Sequence, residues 1–282
     1  MSTPSNQQAR AQQFHHLHDE LLVLPNAWDP PSARMIERAG ASAVATTSAG
    51  VAWSRGVADA GGLDRATALD AVARIVSSVS IPVTVDIEDG YVDGPGGVAA
   101  TIDAVISAGA VGVNIEDSRA GRLLPVEAHA DVLRTVTARL ADSSVSLFVN
   151  ARVDTFLLAD GSESSPALLA DTVERARAYV AADAHGVFVP GVTDPDTIRA
   201  LAAGIDAPLN IMVGAGSRPV AELAALGARR ISSGPQLAMS AYGQVQDWAR
   251  VMVGGGSFDH LPVGASPAEL HTGSPQSATT RA

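Results

Sequence analysis

Residues 82–119 read PVTVDIEDGYVDGPGGVAATIDAVISAGAVGVNIEDSR. The stretch opens on an apolar, β-branched run (82–87), passes through acids and a Gly/Pro-rich turn into helical composition (98–109), and returns to a second apolar run (111–115). Neither run alternates polar with apolar, which is how strands covered on both faces look in a parallel sheet. Gly109, between the helix and the second run, stands where a helix stops in a left-handed cap.

The same strand–helix–strand unit recurs on either side. Apolar runs at 21–24, 43–47, 147–151, 186–189, 209–213 and 230–233 are separated by helical segments at 32–40, 67–78, 125–140, 167–181, 196–203 and 220–227, and Gly40 and Gly227 repeat the cap. Eight such runs suit a closed eight-unit barrel of roughly 250 residues. A doubly wound open sheet would want a Gly-rich turn after its first strand, whereas Leu24 is followed by Pro-Asn-Ala-Trp-Asp. The expectation is an α/β protein, one (β/α)8 TIM-type barrel over 12–260. It lies between a disordered N-terminal tail (1–11) and a flexible C-terminal tail (261–282), both polar and without periodicity.

The chain of 282 residues carries a net charge of −11, has no cysteine, and all 19 of its basic residues are arginine. Thiolate nucleophiles, disulfides, Cys-bound zinc, Schiff-base lysines and lysine-dependent phosphate loops are thereby excluded. The acidic balance argues against nucleic-acid or anionic-membrane partners, and no apolar run reaches the roughly 18 residues that would span a bilayer. With the polar start MSTPSNQQARAQQ, the expectation is a soluble, cytoplasmic protein.

Chemistry in such a barrel sits at the carboxyl ends of the strands. The third run closes on Asp86-Ile-Glu88-Asp89-Gly90-Tyr91, the fourth on Asn114-Ile-Glu116-Asp117 and the fifth on Asn150-Ala-Arg152-Val-Asp154, while the second leads through Thr47-Ser48-Ala49-Gly50 to Asp59. Alternate residues share a strand face, so Asp86 points with Glu88 and Asn114 with Glu116. Carboxylates gathered at one rim repel and take up protons unless a cation neutralises them. An oxygen-ligated Mg²⁺ (or Mn²⁺) that keeps several waters suits so few protein ligands better than Ca²⁺. The alternative is a set of helix-capping or ion-paired surface acids. Arg152 wants a bidentate partner, either a substrate carboxylate or phosphonate, or a structural bridge to Asp154 or Glu116. His15, His16 and His18 precede the first strand on an expected N-terminal helix and read as surface residues away from the rim.

Taken together, these pieces resemble the isocitrate lyase and phosphoenolpyruvate mutase superfamily. The matching segments are Leu24-Pro-Asn-Ala-Trp-Asp29 with Ser32-Ala-Arg34, Thr47-Ser-Ala-Gly50 leading to Gly56-Val-Ala-Asp59, and Val85-Asp-Ile-Glu-Asp-Gly-Tyr91. Asn114-Ile-Glu-Asp117, Asn150-Ala-Arg-Val-Asp154 and Val187-Phe-Val-Pro-Gly191 complete the series in family order.

The resemblance implies a Mg²⁺-dependent lyase, decarboxylase or hydrolase. Such an enzyme cleaves the C–C bond of a small, anionic 2-oxo or 2-hydroxy di- or tricarboxylic acid through a metal-stabilised enolate. By the same resemblance Asp86 is the direct metal ligand, and Asp59, Glu88 and Glu116 hold its waters. Thr47, Ser48 and Ala49 cradle the substrate carboxylate, Arg152 takes its far end, and Asn210 joins Asp86 among the substrate-binding residues. Asp59, Tyr91, Glu116 and Arg152 form the catalytic set. The family barrel typically exchanges its last helix between subunits, which would make 238–253 that helix, with Trp248 and Met252 facing a partner in a homo-oligomer, dimer or tetramer.

One segment departs from the pattern. The superfamily's lyases carry Lys-(Lys/Arg)-Cys-Gly-His in a mobile loop after the fourth strand, and its mutases and phosphonopyruvate hydrolases carry lysines and an Asn there. This chain has Ser118-Arg-Ala-Gly-Arg-Leu-Leu-Pro-Val-Glu-Ala-His129 instead, without thiol or ammonium. Glu127 and His129 remain for proton transfer but fall where a helix begins, and so read as ordinary helix-surface residues. Tyr91 is the better proton donor. C–P cleavage, or a barrel that binds a 2-oxo acid without turnover, are the rival readings.

Overall fold

The computed structural model describes residues 4–94, 96–159, 165–257, 259 and 264–270. Its strands are β1 (Leu22–Leu24), β2 (Asn26–Ala27), β3 (Val44–Thr46), β4 (Val83–Asp86), β5 (Gly112–Glu116), β6 (Ser118–Arg119), β7 (Arg122–Leu123), β8 (Phe148–Arg152), β9 (Gly186–Val189), β10 (Leu209–Met212) and β11 (Arg230–Ser232). Its helices are α1 (Pro4–His16), α2 (Pro30–Arg38), α3 (Ser48–Ser54), α4 (Arg65–Ser77), α5 (Gly97–Ala108), α6 (Val126–Ala141), α7 (Thr155–Leu158), α8 (Pro166–Ala181), α9 (Pro195–Gly204), α10 (Val220–Ala225), α11 (Gln236–Val253) and α12 (Pro267–Leu270).

Nine parallel strands form one sheet in the order β1-β11-β10-β9-β8-β5-β4-β3-β2. The two ends of that order, β1 and β2, are consecutive in the chain and separated by Pro25 alone, so the sheet closes on itself as a TIM-type barrel of eight staves. Proline has no N–H for the ladder, and the stave breaks there. Asn26 stitches the break. Its side-chain oxygen accepts the Ser233 and Gly234 N–H groups at 2.9 Å each, its own N–H donates to Ser233 Oγ at 3.0 Å, and its amide donates to Thr46 O at 2.8 Å.

Each expected apolar run is a barrel strand. Gly109 caps α5 at φ 89° and Gly227 precedes β11 at φ 106°, both in the left-handed region that disfavours a side chain. α2, α4 and α9 begin on side-chain caps: Asp29 accepts the Ser32 N–H at 2.7 Å, and Asp64 and Asp194 accept Thr67 and Thr197 N–H groups at 2.9 and 2.7 Å.

The N-terminal tail expected over 1–11 is helical from Pro4, and residues 1–3 lie outside the described set. Gln7 donates from its amide to Ile106 O and Ala110 O at 2.9 Å each, and Ala11 and Phe14 are fully buried under the barrel. Only these few residues of a polar helix reach inward, which left no apolar period to read. In the C-terminal tail expected over 261–282, the segment 264–270 includes the single turn α12, held to α2 by Arg38 and Glu269 at 2.7 Å. The other residues of that range lie outside the described set.

α1 closes the amino-terminal end of the barrel with an unusual polar layer. Arg230, on β11, is 1% exposed and has no carboxylate partner among the described residues. It donates to Asn114 Oδ1 at 3.0 Å and to His18 Nε2 at 3.4 Å, and lies 5.8 Å from the Phe14 ring centroid. Burial holds its guanidinium down to about 9. His18 is not on the surface: it stacks on Phe148 at 3.8 Å, and burial together with Arg230 pushes its pKa down to about 3. Its Nδ1–H donates to Phe14 O at 2.8 Å, leaving Nε2 to accept from Arg230.

His129 is equally hidden, 1% exposed with its ring 4.7 Å from that of Tyr179, and burial pushes it down to about 3. Both histidines are neutral when folded and protonate near 6.5 when unfolded, so the folded state binds fewer protons below that pH. Stability is full above 6.5 and falls toward 3, by about 1.4 kcal/mol per pH unit for each ring. Neither ring nitrogen of His129 has a hydrogen-bond partner among the described residues, so His129→Leu sacrifices no bond. This variant is expected to gain about 2 kcal/mol on wild type between pH 7.5 and pH 5, read from urea midpoints at the two pH values.

Candidate active site

Parallel register brings the ends of β4, β5 and β8 side by side, Asp86 against Asn114 and Glu116 against Arg152. The ladder continues one step beyond β4, where the Glu116 N–H donates to Glu88 O at 2.9 Å, and this puts the two glutamates at one rim. Arg152 sits among the acids. Its Nε donates to Asp154 Oδ1 at 2.6 Å, its Nη1 lies 2.8 Å from Glu116 Oε2, and the same nitrogen is 3.9 Å from Asp86 Oδ2. The bridge to Glu116 and Asp154, left open by the sequence, is therefore formed.

One guanidinium cannot balance Asp86, Glu88, Glu116 and Asp154. Burial, then the neighbouring acids, push Glu116 up to about 8 although Arg152 pulls it down, and burial with Asp86 and Asp59 pushes Glu88 up to about 7. Asp86 is raised for the same reason, burial first. Arg152 stays charged: its three carboxylate neighbours outweigh the burial that would lower it. A donor set made only of oxygens, with surplus negative charge in a half-dry rim, fits a hard divalent cation. Among the described residues no three acidic or histidine side chains converge closely enough to enclose an ion, so the fit is to an open, water-rich shell with few protein ligands.

Asp86 is anchored from β3 and α3. Its N–H donates to Thr46 Oγ1 at 2.9 Å, and its Oδ2 accepts from Ser48 Oγ at 3.0 Å. Thr47 caps α3 through its side chain, and Ala49 is buried in the first turn, so the small-residue turn lies directly against the aspartate. Glu88 takes the Gly61 N–H on Oε2 at 2.8 Å and the Tyr91 hydroxyl on Oε1 at 3.2 Å. Burial, then Glu88, hold the Tyr91 phenol well above its ordinary value, and it keeps its proton.

Both residues are backbone outliers, Glu88 at φ 50° and Tyr91 at φ 51°, with Gly90 at 87° between them. Each left-handed non-glycine residue costs about 1–2 kcal/mol. The turn is held by Asp89, whose Oδ1 accepts the Tyr91 N–H at 2.9 Å, and by Thr101, which donates to Gly90 O at 2.8 Å.

A cavity of 660 Å³ opens beside the cluster, with Glu88, Tyr91, Glu116 and Ser118 on its wall and Leu63 and Val92 supplying apolar surface. Of the other expected residues, Asp59 stands on the exposed loop between α3 and α4, near enough to raise Asp86 and Glu88. Asn210 is not at the rim. It is fully buried inside the barrel, donating to Ser232 Oγ at 3.0 Å and accepting from Asn150 at 3.3 Å. Glu127 is an exposed partner of Arg134, and His129 is buried on the face of α6 that meets Tyr179 of α8 rather than lying on its outer surface.

The segment after β5 is a hairpin, β6 paired antiparallel with β7 around Ala120 (φ 49°) and Gly121 (φ 72°). Its root is fixed. The Leu124 N–H donates to Asp117 O at 2.8 Å, and Arg175 donates to Leu124 O at 2.9 Å. Asp117, fully buried, also accepts from the Tyr179 hydroxyl at 2.8 Å, from Arg175 at 3.1 Å and from the Asp154 N–H at 2.8 Å. Sequence reading missed this cluster, for which the only signal is an arginine and a tyrosine one turn apart on the expected helix 167–181. Among the described residues no helix is long and apolar enough to cross a membrane.

Against this geometry stand the comparisons with known proteins. The family model described as phosphoenolpyruvate phosphomutase matches residues 14–253. An uncharacterized protein of Mycobacterium tuberculosis is 39% identical over 224 residues, 78% of this chain and 81% of that one. A crystal structure from Burkholderia cenocepacia J2315, provisionally termed a phosphonomutase, superposes with a TM-score of 0.82 at 40% identity, covering 86% of this chain and 99% of that one. A phosphonopyruvate hydrolase solved with oxalate and Mg²⁺ gives a TM-score of 0.78 at 26% identity over 93% of each chain. The relatives also include a 2-methylisocitrate lyase of Halalkalibacterium halodurans at 26% identity over 73% of this chain and 68% of that one. An oxaloacetate decarboxylase of a Bradyrhizobium species is 30% identical over 57% and 54%.

Proposed function

Because the chain belongs to the phosphoenolpyruvate phosphomutase family, within the superfamily of lyases, mutases and decarboxylases that includes isocitrate lyase, we propose that it cleaves a C–C bond of a small 2-oxo or 2-hydroxy di- or tricarboxylic acid with the help of Mg²⁺. The observation that carries this reading is the excess of buried carboxylates around Arg152 at the barrel mouth, beside a cavity with a protonated tyrosine on its wall.

In this proposal Asp86 would hold the ion directly, with Asp59, Glu88 and Glu116 holding its waters. A divalent cation held there would supply Lewis-acid stabilisation for negative charge developing on the 2-oxo group. Thr47, Ser48 and Ala49 bind the substrate carboxylate. Arg152, fixed by Glu116 and Asp154 with its Nη1 3.9 Å from Asp86 Oδ2, takes the anionic far end of the substrate. Tyr91, on the wall of the open cavity, gives its hydroxyl proton to the carbon left behind by cleavage and regains one from solvent, taking the part for which this chain has neither a thiol nor an ammonium group. C–P cleavage is the second reading, favoured by the likeness to the Burkholderia structure.

The test is an incubation with Mg²⁺ and oxaloacetate, 2-methylisocitrate, substituted malates and phosphonopyruvate, following pyruvate release with and without chelator. Pyruvate from a carboxylic substrate, lost on chelation and regained with Mg²⁺, is expected. Pyruvate from phosphonopyruvate alone would replace this reading by the second, and binding without turnover would make the protein a non-catalytic barrel.

The chain is further proposed to act as a homo-oligomer, dimer or tetramer, through α11. Only Ala238 of that helix is buried, while Met239, Val245 and Met252 are 51%, 61% and 67% exposed. An amphipathic helix left with so little to cover it needs a partner surface. Val245→Glu with Met252→Glu is expected to shift the protein to monomer in sedimentation velocity at micromolar concentration; an unchanged profile would exclude α11 from the contact.

A further inference from the structure

Arg119 reaches from the β6–β7 hairpin to the turn that carries Tyr91. Its Nε donates to Asp89 Oδ2 at 2.6 Å and its Nη1 to Asp93 at 3.1 Å. The other oxygen of Asp89 accepts the Tyr91 N–H at 2.9 Å, so one carboxylate joins the hairpin to the backbone of the tyrosine. That backbone is left-handed at Glu88, Gly90 and Tyr91, a conformation that two non-glycine residues abandon unless something holds them. The arm is firm, because Arg175 and Asp117 fix the hairpin root. The two contacts of Arg119 are unequal: the Asp89 side chain is 18% exposed and that of Asp93 is 82% exposed, so water screens the second far more.

We propose that Arg119 is a positioning residue: by gripping Asp89 it holds the strained turn that sets the Tyr91 hydroxyl on Glu88. The proposal rests on the reading of Tyr91 as proton donor, and its consequence is that the hairpin acts through the turn rather than by bringing an acid of its own to the substrate. An arginine here does what its rigid fork suits it for, fixing the direction of a carboxylate as well as neutralising it.

The experiment compares wild type with Arg119→Met, Arg119→Lys and Asp93→Asn in two readouts, amide hydrogen exchange of the segment 88–94 and steady-state kinetics. Arg119→Met is expected to speed exchange at the Tyr91 amide about tenfold and to lower kcat about tenfold with KM changed less than about threefold. Arg119→Lys should recover part of both, and Asp93→Asn should change neither. Unaltered exchange in Arg119→Met would overturn the grip, and faster exchange with unaltered kcat would overturn its role in the reaction. If wild type turns over none of the acids, the proposed function fails while the exchange measurement still decides whether Arg119 holds the turn.

Discussion

Asp86→Asn is expected to lower kcat by about 10³-fold or more, equivalent to about 4 kcal/mol of transition-state stabilisation, while leaving the melting temperature unchanged or higher. Asparagine keeps the shape and retains an oxygen for Ser48 Oγ, which now donates to Asp86 Oδ2 at 3.0 Å. What disappears is one negative charge from a buried cluster in which that charge already pushes Glu88 and Glu116 toward their protonated forms. The folded state therefore loses repulsion, and the two glutamates should titrate lower in the variant. Catalysis loses the carboxylate proposed to hold the ion. Activity and stability are thus predicted to move in opposite directions, which a general loss of structure could not imitate. Retention of more than about a tenth of the wild-type kcat would remove Asp86 from the reaction.

Asp117→Ala is expected to produce the opposite pattern, a loss of about 3–5 kcal/mol in folding free energy measured by urea unfolding. The Asp117 side chain is fully buried and meets three donors at once: Arg175, the Tyr179 hydroxyl and the Asp154 N–H. Removing it leaves a guanidinium, 10% exposed, with the half-exposed Asp171 as its one acid among the described residues, and two further donors unpaired. The double variant with Arg175→Met should recover part of the loss, because the stranded charge goes with it. A loss below about 1 kcal/mol would mean that water reaches the cluster and satisfies it.

These two aspartates show what the sequence could and could not reveal. Asp86 was legible because it closes an apolar run and shares a face with Glu88, and a period of two fixes that relation without any knowledge of the fold. Asp117 lies one residue beyond Glu116, and its partners, 58 and 62 positions away, are known only once α8 packs on β8 and β9. The barrel itself was legible throughout, since continuous apolar strands and glycine caps are local signals. The first turns of α1 read as tail because they are anchored by Gln7, Ala11 and Phe14 in an otherwise polar stretch. Asn210, expected among the substrate-binding residues, lies inside the barrel, because the length of an apolar run does not say which polar residue stays inside. Here Asn114, Asn150, Asn210 and Arg230 bond to one another within the barrel, an interior layer that composition alone would assign to solvent.

The broken stave at Pro25 also bears on the order in which the barrel is made. Joining Asn26 to Ser233 closes a loop of 207 positions, whereas β4, β5 and β8, which carry Asp86, Glu116 and Arg152, pair with near neighbours in the chain. Loop-closure entropy grows with that separation and delays the most distant contacts. The acidic sector can therefore assemble in an open, partly built sheet, and the seam at Asn26 is the step that turns a curved sheet into a sealed cylinder.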